Sequence, residues 1–133
     1  MGRDLARLAV LGTGLMVASC AAGGAAAPLA LYPSSPEGHQ ARLRGRLAME
    51  GGCLYIVGEG GERWLAAFPS PGTRWVPDEN AVQVGKRTVR VGETGAFAGG
   101  EASGAPGTVA WVRAPAAGCD AAKVWMVTTL MDP

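Results

Sequence analysis

The chain has 133 residues, 48% of them hydrophobic, with twelve basic and eleven acidic side chains that leave a formal charge of +1. That length leaves room for one modest core, and so even a charge balance excludes the basic footprint of a nucleic-acid-binding domain. Glycine (21) and proline (9) together make up about a quarter of the chain, which suits many turns between short segments.

The N-terminus has the parts of an export signal. Arg3 and Arg7 form a short basic region, partly offset by Asp4, and an uncharged apolar run follows from Leu8 to Ala18. As a helix that run rises roughly 16 Å, about half the ~30 Å of hydrocarbon that a spanning helix must cross. A signal peptide therefore fits better than a membrane span. The run ends in Val17, Ala18, Ser19 and Cys20, which resembles the lipobox of bacterial lipoproteins. The resemblance implies a diacylglyceryl thioether on Cys20, cleavage before it and acylation of the new amino group. An uncleaved anchor or an ordinary secretory signal are the alternatives. Against an anchor stands the stretch Ala21 to Ala27, which is only alanine and glycine and suits a flexible tether. All three readings place the rest of the chain outside the cytoplasm. Ala21, in place of an aspartate after the modified cysteine, resembles lipoproteins sorted to the outer membrane in cells that have one.

Three cysteines are an odd number for an exported chain, but lipidation of Cys20 leaves Cys53 and Cys119 to pair with each other. An oxidising compartment permits that bond. The expected organisation is a signal peptide over 1–19, an Ala/Gly/Pro/Ser tether over 20–38 and a disulfide-closed β domain over 39–133. Without the signal, ten basic and ten acidic side chains remain.

Beyond the tether, Leu43, Gly45, Leu47 and Met49 alternate with Arg42, Arg44 and Arg46, the period of a strand with one wet face. Cys53 to Val57 is apolar throughout and suits a central strand. Gly58 to Glu62 turns the chain, and Arg63 to Phe68 forms a third strand stopped by Pro69 and Pro71. Thr73 to Asn80 is taken as a loop. Val82 and Val84, then Val89 and Val91, flank Gly85-Lys86, a hairpin with a type II′ turn. Gly92 to Gly107 is expected to be a glycine-rich connection, with Thr108 to Arg113 and Lys123 to Leu130 as the last strands. Six or seven short strands and no helical period predict an all-β fold: a small antiparallel barrel, OB-like and partly open, or a sandwich.

The motifs Gly52-Cys53-Leu54-Tyr55, Phe68-Pro69, Gly72-Thr73-Arg74-Trp75, Val91-Gly92-Glu93, Gly99-Gly100-Glu101 and Val124-Trp125 after Cys119 resemble a group of small bacterial envelope lipoproteins. The resemblance implies an OB-type barrel in the cell envelope and no particular chemistry. The alanine-rich stretch Ala114 to Ala122 departs from it.

Catalytic constellations are sparse. The single histidine, His39, lies at the edge of the tether, and Ser103 lacks the Gly-x-Ser-x-Gly elbow. The pairs Glu59/Glu62 and Asp78/Glu79 sit in turns rich in glycine, proline or asparagine, which points to solvated carboxylates and away from general acid–base work. No metal-ligand set, calcium loop, phosphate cradle or cofactor motif is present. Two surfaces remain as candidates. Arg42, Arg44 and Arg46 project from one strand face about 7 Å apart, suited to anionic headgroups or an acidic partner. Arg74 and Trp75, beside prolines, have the composition of an interface hot spot. The expectation is a non-enzymatic envelope binding module, attached to the membrane through its N-terminal lipid and engaging an envelope protein or glycan. An inhibitor of an enzyme such as lysozyme, and a cell-wall glycan-acting enzyme using Glu50, Glu101 or the turn carboxylates, are the alternatives.

Overall fold

A computed structural model describes residues 27–35, 40–102 and 109–133. The expected signal peptide, Cys20, much of the expected tether, His39 and Ser103 lie outside the described residues.

The arginine-rich alternation becomes strand β2 (Ala41–Glu50), whose partner β3 (Cys53–Gly58) is reached through Gly51 and Gly52, both at positive φ. Two consecutive left-handed residues make the turn that matches the twist of a hairpin, and glycine adopts them without a Cβ penalty. Strand β4 (Arg63–Ser70) continues the meander, antiparallel to β3. Strand β8 (Thr94–Glu101) pairs with the other edge of β2, and β9 (Val124–Met131) runs antiparallel to β8 and parallel to β4. The five strands thus follow one another around a ring, β4-β3-β2-β8-β9 and back to β4. This is the expected small barrel of OB type, and the ring is partly open because β4 and β9 share only three paired positions, from Leu65↔Val124 to Ala67↔Met126.

Closure is tight at two glycines. A Cβ on Gly45 would lie 2.5 Å from the carbonyl oxygen of Val57 on β3. One on Gly99 would overlap the carbonyl of Met126, at the point where the β8–β9 register shifts between Ala98 and Gly99. A bulge of this kind bends the strand around the barrel. The Gly92 to Gly107 stretch is therefore no simple connection: Thr94 to Glu101 is the closing strand, and at Gly95 and Gly99 a Cβ would meet neighbours at close range.

Between β4 and β8 the chain builds a second sheet of β5 (Thr73–Val76), β6 (Ala81–Val84) and β7 (Arg87–Arg90), with a 3-10 turn at Pro77–Glu79. The loop expected from Thr73 to Asn80 is thus half strand. The β6–β7 hairpin has the expected two-residue turn, with Gly85 at φ 62°. Val82, Val84 and Val89 join Leu47, Leu54, Ile56, Phe68, Phe97 and Val127 in one buried core. The small sheet is held to β2 by Gly92 N–H donating to the Leu47 carbonyl (2.7 Å) and Leu47 N–H donating to the Glu93 carbonyl (3.0 Å).

Two further expectations need correction. The tether does not run to residue 38. Strand β1 (Ala30–Pro33) lies inside that span, parallel to the far half of β4, with Leu29, Ala30 and Tyr32 buried. Once β4 leaves β9 its edge is free, and the segment Leu29 to Tyr32 supplies alternating apolar side chains to cover it. Thr108 to Arg113 is not a strand over its described part. Only Arg113 bridges to Leu31.

Tyr32 fixes this added strand. Its hydroxyl donates to the carbonyl of Val127 on β9, and burial pushes its pKa up to about 12 from 10. The neutral phenol is therefore the form the native state keeps. Above pH 10 the unfolded chain loses this proton while the folded chain holds it, so stability falls as pH rises from 10 towards 12. Tyr32→Phe should flatten that decline and lower stability near neutral pH by about 1–2 kcal/mol, read by urea titration of the two proteins across pH 7 to 12.

Candidate functional site

The disulfide is formed. Cys53 and Cys119 are bonded, with Cα atoms 5.7 Å apart and a sequence separation of 66. It ties the start of β3 to the long connection between β8 and β9. The described part of that connection, 109–123, crosses the outer faces of β3, β4 and β9. There a second apolar cluster forms from Tyr32, Cys53, Tyr55, Leu65, Ala67 and Val124, with Val109, Trp111, Cys119 and Ala121 packed over it.

A polar network borders this cluster. Asp120 N–H donates to the Tyr55 hydroxyl at 2.8 Å, and the Arg63 guanidinium lies 4.3 Å from the centre of the Tyr55 ring. Arg63 also pairs with Glu50 (2.8 Å) and Asp120 (3.1 Å). The Ala122 backbone N–H, and then Arg63, hold the Asp120 carboxyl below its usual pKa. A general acid needs the opposite shift, so this carboxylate is set up as an ion-pair partner. The network eluded the sequence reading because Asp120 sits in the alanine-rich stretch, far from Arg63 and Tyr55. The one clue was period-two alternation, which puts Tyr55 and Arg63 on the outer side of adjacent strands.

Arg42, Arg44 and Arg46 do share the exposed face of β2. Their surroundings differ. Arg42 donates to the Asp132 carbonyl (3.1 Å), and Arg44 pairs with Glu59 of the β3–β4 turn (3.0 Å). Arg46 has no ion pair or side-chain hydrogen bond among the described residues. It borders a depression of about 340 Å³ floored by Ala48, Val57 and Val91, with Glu50 and Arg63 on the rim. Strand pairing brings Arg46 and Arg63 to one hollow across β3. Glu50 and Asp120 offset the charge of Arg63 and leave that of Arg46 uncompensated.

No family model, curated protein or solved structure matches this chain.

The second candidate surface is not assembled as expected. Trp75 is on β5, opposite Val82, and its half-buried ring packs against the main core. Its neighbour Arg74 is exposed, its Nε donating to Gln83 (3.1 Å). The proline-flanked stretch lies against a sheet edge, so the tryptophan turns inward and the pair does not form one exposed patch. The turn carboxylates are also placed. Glu59 pairs with Arg44 and Glu79 with Arg90 (3.4 Å), all four side chains being about half exposed or more. Among the described residues no charged side chain is buried, and no three His, Cys, Asp or Glu side chains are grouped to hold a metal ion.

Proposed function

We propose that the chain is a bacterial envelope lipoprotein, held to the membrane by lipid on Cys20, whose barrel is a non-enzymatic module that binds an acidic group of an envelope component. The compartment is supported by the bond between Cys53 and Cys119, which belongs in an oxidising environment and leaves Cys20 for lipid. The binding role is carried by Arg46. An unpaired guanidinium beside a hollow floored by Ala48, Val57 and Val91 offers two donors in the plane that a carboxylate or phosphate takes up. Arg42 and Arg44 extend the positive row, and the β3–β4 turn carrying Glu59 can release Arg44 at little cost, because exposed ion pairs contribute only about 0–1 kcal/mol.

The full chain carrying Arg44→Glu and Arg46→Glu should lose capture of its partner from envelope extracts at least tenfold, and raised salt should weaken the wild-type capture. Trp75→Ala is the control. It should keep the same partner while losing about 2 kcal/mol of stability, since its ring serves the core. Unchanged capture by the arginine variant, with loss in the tryptophan variant, would move the binding surface to β5.

A further inference from the structure

Barrels of this strand order present ligands to the outer face of the second and third strands and to the connections around it. Here those strands are β3 and β4, and that face is occupied by the chain's own segment 109–123. We infer that this segment is a strap latched over the face by the Cys53–Cys119 bond, and that reduction of the bond by a dithiol opens the strap while the barrel stays closed.

Three observations support a latch in place of a general staple. The ring of five strands closes through β4–β9 and β8–β9 pairs that contain no strap residue. The strap's own attachments are few. Besides the hydrogen bonds joining Val112 and Arg113 to Leu31, and the Leu65 N–H donating to the Lys123 carbonyl where the strap runs into β9, they are the Asp120–Tyr55 contact, the Asp120–Arg63 pair, the Lys123 ammonium over the Trp64 ring and half-buried side chains. Val112 is 55% exposed. Finally, the bond is reachable. Cys53 and Cys119 both line a cavity of about 390 Å³ with Leu29, Ala66, Arg113 and Pro115, and Cys119 is only half-buried.

The chemistry is thiol–disulfide exchange. A thiolate of the dithiol attacks one sulfur and forms a mixed disulfide, while the other cysteine leaves as thiolate and takes up a proton. The second thiol of the reductant then displaces the first cysteine. The reductant leaves as its disulfide and both cysteines carry thiols, a two-electron exchange. Opening exposes Tyr55, Leu65 and Ala67 and frees Asp120 from Arg63.

Amide hydrogen exchange on the full chain, with and without dithiothreitol, tests this. The latch predicts that Val112, Arg113, Cys119 and Asp120 lose nearly all protection on reduction. Amides of β2 and β8 should keep at least hundredfold protection, and the Cys53→Ala/Cys119→Ala chain should behave the same without reductant. Three results would overturn the inference: strap amides still protected after reduction, barrel amides exchanging together with the strap, or a bond that resists dithiothreitol until denaturant is added.

Discussion

Phe97→Ala should lower the stability of the domain by about 3–5 kcal/mol, with an unchanged urea slope. Phe97 is the central residue of β8, fully buried, and β8 is the strand that joins β2 to β9. Its ring reaches towards Gly95 and Val89, so it links the barrel to the small sheet. Its carbonyl also accepts the Trp125 indole N–H at 3.3 Å. Truncation leaves a void that β8 itself cannot fill, because Gly95 and Gly99 have no side chain and Ala96 only a methyl group. Domains of this size have about 5–15 kcal/mol in total, so the variant should sit near the limit of folding at 37 °C. A loss below about 1 kcal/mol would mean that the core collapses around the site and that β8 is less central than described.

Removing the covalent tie is the second large effect. The Cys53→Ala/Cys119→Ala chain should lose on the order of 4 kcal/mol, because a closed loop of 66 positions no longer restricts the unfolded chain. The loss acts on the unfolded state, so urea midpoints should fall even where the barrel contacts are unchanged. Wild-type protein in reductant should match the variant. An effect under 1 kcal/mol would show that the unfolded chain is already compact between these positions.

These two residues and their neighbours also show what a single sequence can reveal. The arginine alternation of β2 and the apolar run of β3 were legible because each has the period of its environment, one face wet or both faces covered. The hairpin around Gly85-Lys86 was legible because turn chemistry is local. β8 was not, since Thr94 to Glu101 holds three glycines and two alanines and carries no hydrophobic period. Close approach to Met126 at Gly99, and to Phe97 and Val89 at Gly95, leaves little room for a side chain there, and only the three-dimensional ring reveals it. β1 was hidden for a related reason: four residues amid alanine and proline gain their strand conformation from the free edge of β4. In the candidate site the arginine row was visible and Trp75 was misplaced, because composition says that a tryptophan lies near prolines and not which way it faces. The Glu50–Arg63–Asp120 network depends on the strap's path, which no local pattern encodes.

The account as a whole rests on how the sulfur atoms are used, and intact mass spectrometry of the native full-length protein, before and after reductant, measures that directly. It predicts a chain beginning at Cys20, carrying a diacylglyceryl group and an amide-linked acyl chain, that gains two hydrogens on reduction. A chain that retains residues 1–19, bears no fatty acid and shows no change with reductant would contradict it.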